Sequence, residues 1–321
     1  NYKNGCLSLM NFALYKGKEN IVVNGDMSSR PEDKLTVTFK NLDIADFNPI
    51  LQKFGLNLQG KMNDNVVLRS VFKDMTLTSN VTIDDLVIND VKLGKAKFGF
   101  NNMLSKNEFA ADIRMSYNEP NSGQIIPLSI KGKVNLADKN DNLDLKVDMQ
   151  EFDIRIIENY LSSLSSYVRG KISAENLLVK GKFTQPHIAG SLKIKDGAMK
   201  IDMLNTTYSF NDELFVNDNI FTMDNFVLQD AQKNKITING TITHDNFTNF
   251  DLNLKAKADK IKVLDTEESV DQMYYGTVYA SADVNLHGDL NFLNIEVTAK
   301  TERGTNLTVP ISSKMSANEN S

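Results

Sequence analysis

Residues 143–149 read LDLKVDM. Leu143, Leu145, Val147 and Met149 take every second position with Asp or Lys between them. In an extended chain the four apolar side chains therefore leave one face and the charges the other. A helix would scatter the same residues around its axis. The pattern continues upstream in Leu35, Val37 and Phe39, Val81 and Ile83, and Ile113, Met115 and Tyr117. Downstream it returns in Leu192 and Ile194, Ile236 and Ile238, Leu252 and Leu254, Ile295 and Val297, and Leu307 and Val309. Strands with one apolar and one wet face, repeated this often, predict an all-β protein laid out as an antiparallel meander.

Asn24-Gly25, Asp196-Gly197 and Asn239-Gly240 read as tight hairpin turns, because these pairs tolerate positive φ. Helical spacing is confined to short pieces at residues 153–168 (DIRIIENYLSSLSSYV), 46–54 and 265–273. These are too few to cover the apolar face of so many strands, so the sheet must curl over itself or stay partly open. The expected architecture is an elongated repeat array of antiparallel strands curled into an open apolar groove, a half-pipe, with a few short helices.

Glycines set out a long repeat. Gly25, Gly132 and Gly240 are separated by 132 − 25 = 107 and 240 − 132 = 108 residues, and each is expected to open a strand. Gly60, Gly170 and Gly276 follow at 110 and 106, and Gly181 and Gly288 at 107. The whole of 1–321 reads as one continuous region of units of about 107 residues (25–131, 132–239 and a partial 240–321), each with seven or eight strands.

Charged residues make up 24% of the chain and its net charge is −5, with Lys interspersed among Asp and Glu, so no basic run exists to follow a phosphate backbone and nucleic acid is not an expected partner. Cys6 is the sole cysteine, which excludes an internal disulfide and any thiolate metal cluster. His187, His244 and His287 stand apart from one another and from Cys. The segment DKNDNLD at 138–144 lacks the turn glycine of a calcium loop and has Met149 where a bidentate Glu would be needed, so it reads as a solvated hairpin loop. Asp84-Asp85 is placed in a polar turn and Glu267-Glu268 in a helical piece, where neighbouring carboxylates diverge. With no nucleophile elbow, phosphate loop or dinucleotide fingerprint, the chain is not expected to be an enzyme, and neither a cofactor nor a metal is expected.

The most specific text is GKFTQPHIAGSLKIKDGAMKIDMLNTTYSF at 181–210 and IFTMDNFVLQDAQKNKITINGTI at 220–242, followed by FDLNLKAKADKIKVLD at 250–265 and YYGTVYASADVNLHG at 274–288. This order of Gly, Pro, alternating strand, Asp-Gly, "DNF" strand and "I-x-G-x-I" strand resembles the TamB family of the translocation and assembly module, related to AsmA-like proteins. Its Asn, Lys and Asp richness is similar to Bacteroidota members. The resemblance is strongest over 170–311. Leu293 departs from it, standing where the repeat would bring back Pro186.

The resemblance implies a periplasmic β-groove anchored to the inner membrane through a segment outside this chain. It further implies phospholipids as cargo, an Omp85-type outer-membrane partner and a link to outer-membrane protein assembly, with no catalytic residues. Alternation nominates Leu35, Val37, Leu143, Leu145, Leu192, Ile194, Met199, Ile201, Ile236, Ile238, Leu252 and Leu254 as groove-lining positions, and the repeat in register is expected to join the inward positions into one uninterrupted strip, with Leu35 and Val37, Leu143 and Leu145, and Leu252 and Leu254 at equivalent points. Three alternatives stand beside lipid conduction: a closed sandwich in which these residues are ordinary core, a protein-interaction scaffold working by β-augmentation, and a surface stalk.

Overall fold

The computed structural model describes residues 2–52, 56–102, 108–119, 123–138, 140–245, 248–268, 274–290 and 292–310. Among the described residues nineteen strands form one antiparallel sheet that is not closed into a barrel. They are β1 (Tyr2–Lys3), β2 (Cys6–Lys16), β3 (Glu19–Met27), β4 (Lys34–Asp43), β5 (Leu58–Arg69), β6 (Thr76–Ile88) and β7 (Val91–Asn102), then β8 (Glu108–Glu119), β9 (Gly123–Asn135), β10 (Leu143–Asp153), β11 (Val168–Lys182), β12 (Gln185–Ile201) and β13 (Thr206–Asn217). The last are β14 (Ile220–Gln229), β15 (Lys235–Asp245), β16 (Thr248–Thr266), β17 (Tyr275–Asp289), β18 (Asn294–Thr301) and β19 (Asn306–Thr308). Up to β17 each strand pairs with the next in sequence, and β17 then carries both β18 and β19 along its length.

Flat sheets do not make grooves, and the chain bends this one by a repeated device. Every even-numbered strand from β2 to β16 except β8 carries an extra residue at a register shift against the following strand, and at the β8–β9 shift the extra residue falls on β9. In most of them a non-glycine residue at the shift turns left-handed: Asn11, Asn41, Asp85, Glu151, Asp196, Asn225 and Lys260, with φ between 46 and 73° across all such residues of the chain. An extra residue bends its strand and leaves an N–H without a ladder partner. Here that N–H finds a side chain on the following odd strand. Asn41 donates to Asn63 Oδ1 (2.8 Å), Glu151 to Ser173 Oγ (3.2 Å), Asp196 to Asn211 Oδ1 (2.6 Å), Asn225 to Asn239 Oδ1 (2.8 Å) and Lys260 to Ser281 Oγ (3.1 Å).

This corrects the turn assignments. Asn24-Gly25 lies inside β3, Asp196-Gly197 inside β12 and Asn239-Gly240 inside β15. Asn24 and Asn239 are bulge acceptors, and Asp196 is a bulge residue. Gly240 opens no strand but sits in mid-strand at φ 136°, where a Cβ would collide with the Asn253 carbonyl of β16. Gly25 and Gly132 meet the carbonyls of Lys34 and Asp144 in the same way, so only glycine lets the strands approach. The three lie on β3, β9 and β15, six strands apart rather than seven or eight. Asp84-Asp85 likewise belongs to the interior of β6.

Helical structure is briefer than expected. Residues 46–54 contribute a 3-10 turn at Ile44–Phe47 and one α-helical turn at Asn48–Leu51, with 53 and 54 outside the described residues. Within 153–168 only Ile154–Leu161 is helical, as a 3-10 segment, and Val168 already begins β11. Asp265 and Thr266 finish β16, Glu267 and Glu268 are in no helix, and 269–273 lie outside the described residues.

The sheet is strongly curled. Tyr208 of β13 donates its hydroxyl to the Lys262 carbonyl of β16 at 2.8 Å. Three strand spacings would hold those strands about 14 Å apart in a flat sheet. The molecule still exposes 19912 Å². A compact protein of 36.0 kDa would expose roughly 13,000 Å².

Candidate functional site

The inner face is built by register. Val23, Val37, Val66, Ser79, Phe100, Ala111, Gly132, Leu145, Val179 and Ile188 are successive cross-strand partners from β3 to β12. Beyond the β12–β13 turn another ladder takes over, Phe226 to Ile238 to Ala256 to Val284 to Val297. Strands that alternate apolar and polar residues in register present one continuous apolar surface across the sheet.

Of the twelve positions nominated by alternation, Leu35, Leu143, Ile194, Leu252 and Leu254 are buried, and Val37, Leu145, Leu192, Met199, Ile201, Ile236 and Ile238 are partly buried. They do not converge on one pocket. Leu143 and Leu145 pack with Ala111, Val134 and Phe100, and Leu192 packs against Val147, Leu177 and Val216. Ile201 and Ile236 surround Tyr208, Ala258 and Ile261. Ile194, Met199 and Ile238 belong to a cluster with Val168, Phe210 and Phe226. Leu254 pairs with Gly240 and Leu286, as Leu35 pairs with Gly25 and Leu68.

The strip is not bare, which corrects the expectation of an uninterrupted track. Two of the short helical segments, Ile44–Phe47 and Ile154–Leu161, lie on it as crosspieces. Ile44 of the first is buried against Ile83, Leu86, Val91, Leu93 and Phe152. Ile154, Ile157 and Leu161 of the second pack onto Ile194, Phe210, Phe226 and Ile238, and Tyr160 reaches Phe250 of β16 edge-on, with ring centroids 5.8 Å apart. Both begin alike, with an Asp whose carboxylate accepts the N–H two residues on: Asp43 from Ala45 and Asp153 from Arg155, each at 3.0 Å. Lys61, 2.7 Å from Asp43, holds that carboxyl below its ordinary value. Burial pushes Asp153 upward, but its bonds to Arg155 outweigh this and leave it depressed. Helical spacing within 153–168 is legible in the sequence, and its apolar residues Ile154, Ile157 and Leu161 cover a part of the sheet's inner face, though not the whole of it.

Covering ends towards the C-terminus. Ile295, Val297, Leu307 and Val309 on and beside β18 and β19 are 44, 57, 47 and 62% exposed, although Ile295 and Val297 continue the inner ladders of Leu286 and Val284.

The titratable groups serve the scaffold. Asp230, buried at the β14–β15 turn, accepts N–H bonds from Gln232 (2.8 Å), Asn234 (3.0 Å) and Lys262 (3.0 Å) and the Asn234 amide (2.9 Å). Burial raises its pKa, yet these bonds prevail and hold it below the carboxylate norm. His244 stands among Phe221 and Phe250, and burial lowers its pKa. His187 pairs with Asp218 at 2.9 Å, and Asp138 accepts N–H bonds from Asn140 and Asp141 within the 138–144 segment that reads as a solvated hairpin loop. Among the described residues no three His, Cys, Asp or Glu side chains gather to hold a metal, and no helix is long and apolar enough to cross a membrane.

Searches of curated proteins and of solved structures return no match. Residues 224–321, which include the exposed end of the inner face, match the family model of the TamB C-terminal domain, and this match supports kinship with the TamB family.

Proposed function

We propose that the protein is a periplasmic lipid-transfer scaffold that carries phospholipid acyl chains along its inner apolar face between inner and outer membranes. The TamB match over residues 224–321 supports a cell-envelope location. The observation that carries the lipid reading is the register-matched apolar ladder that runs from the crosspiece-covered middle to the exposed Ile295 and Val297. Each methylene moved from water onto such a face gains about 0.8 kcal/mol, while exchange with a bilayer is nearly neutral, so a chain can both enter and leave. Its head group stays in water at the open mouth. In this reading the inner membrane holds the protein through a segment outside this chain, and an Omp85-type protein receives it at the outer membrane.

Photo-crosslinking residues at Val37, Leu145, Leu254 and Val297 test it in cells. Phospholipid adducts at all four are expected; adducts at none sink the proposal.

A second reading is favoured by one observation: among the described strands β18 pairs on one side only, with β17, so its other edge offers N–H and C=O groups to an incoming strand of an outer-membrane protein. Adducts to unfolded β-barrel protein at Glu296 and Thr298, without lipid adducts at the inner positions, would favour assembly over transfer.

A further inference from the structure

We propose that the crosspiece Ile154–Leu161 occupies the acyl-chain site of the covered groove as an internal competitor, and that an entering chain displaces it. The inference rests on the lipid reading and deepens it by naming where the chain lies and what must move. The side chains beneath the crosspiece, Ile194, Met199, Phe210, Phe226 and Ile238, are inward positions of β12 to β15. What covers them is a stripe of three aliphatic residues, Ile154, Ile157 and Leu161, chemically interchangeable with a stretch of methylenes. Replacing one by the other swaps apolar contact for apolar contact, so little free energy separates the covered and the lipid-filled states.

The segment is also built to move. It runs for 8 residues as a 3-10 helix, whose hydrogen bonds are poorer than those of an α-helix and which seldom persists beyond one turn. Its ends are fixed. Asp153 caps the start, and at the far end the Leu164 and Ser165 N–H groups bond to Leu161 O at 2.9 Å while Asp202 N–H bonds to Leu164 O at 3.1 Å. Across its middle, Asn89 and Tyr160 act as latches. Asn89 of the β6–β7 turn donates to the Ile156 carbonyl at 3.0 Å, and Tyr160 stands edge-on to Phe250 across the groove. Fixed ends, a weak middle and interchangeable packing describe a strap that yields to a chain and springs back when it leaves.

The apparent affinity of such a site is its intrinsic affinity reduced by the fraction of molecules with the strap raised. Loss of one aromatic latch in Tyr160→Ala should therefore tighten binding of a pyrene-labelled phosphatidylcholine, presented to the 321-residue chain in phosphatidylcholine vesicles, by about three- to ten-fold. A strap tied down by a bismaleimide between cysteines at Tyr160 and Phe250, in a Cys6→Ser background, should lose that binding, and reversal with a cleavable linker should restore it. Hydrogen exchange of the unsubstituted chain guards against misfolded variants: adding the lipid should speed exchange at the amides of Ile157 to Leu161 and leave the β12–β15 ladder unchanged. Lipid bound equally by the free, weakened and tied forms, with no change in exchange, overturns the strap while leaving the lipid reading intact. No lipid bound by any form, Tyr160→Ala included, overturns both.

Discussion

The inner faces of β11 to β17 and of β18 and β19 have the same chemistry and opposite solvation. Ile238 and Val297 lie on one cross-strand ladder, joined through Ala256 and Val284. Yet Ile238 packs into the cluster under the crosspiece, whereas Val297 is 57% exposed. No property of the strand sequences separates them: both are β-branched aliphatics between polar neighbours. Burial here is decided by what lies on the sheet. The curl adds to it where β13 reaches β16 through Tyr208.

The largest effect is expected where the sheet admits no side chain. Gly240→Ala would place a methyl group against the Asn253 carbonyl at a φ of 136°, and should destabilise the chain by about 3–5 kcal/mol in urea unfolding. Gly304→Ala, at the open end with only the Tyr279 ring near, should cost about 1–2 kcal/mol. Equal losses would mean that the two regions are equally constrained.

Charge on the inner face sharpens the contrast. Leu254→Asp strands a carboxylate at a buried position and should cost about 3–4 kcal/mol, whereas Val297→Asp should cost about 0.5 kcal/mol or less while lowering lipid capture at that level. A Val297→Asp protein that melts early would show that the terminal strands are covered in solution.

Asp230 sets a smaller effect with a pH signature. Asp230→Ala removes the acceptor of several buried N–H bonds and should cost about 2–3 kcal/mol at neutral pH. Because the folded-state pKa is depressed, the carboxylate's contribution is complete above its unfolded value, near 4, and is lost as pH falls through the folded value. The gap between variant and parent should therefore narrow below about pH 4. A gap that is constant with pH would assign Asp230 a packing role alone.

His244 gives the least. Burial depresses its pKa, against an opposing pull from Asp245, so stability should be complete above about pH 6.5 and decline as pH falls towards the folded value. Phe221→Leu and Phe250→Leu, which loosen the site, should flatten that slope.

Alternation made the fold class and the apolar face legible, because a period of two survives whatever the strands do to one another. Bends were misread for a physical reason. Asn-Gly marks places where positive φ and a side-chain acceptor are available, and a hairpin is one use of both. In Asn239-Gly240 the Asn serves a bulge one strand away and the Gly admits a neighbouring carbonyl, a difference that depends on Asn225 and Asn253, each more than a dozen positions distant in sequence. The twelve inner positions were legible as a face, while their division into separate neighbourhoods was not, since that follows from the curl and the crosspieces.

The bulges have a geometric consequence of their own. Even-numbered strands in a meander all run the same way, so their bends stack into a crease that any further pair of strands can join without altering those already present. Each added hairpin lengthens the pipe by about 10 Å, and each six-strand interval between equivalent glycines by about 29 Å. The reach of such a molecule is therefore counted in hairpins: it can be adjusted to the distance it must span by gene duplication or deletion of whole strand pairs, while an odd number would reverse every later strand and break the line of the crease.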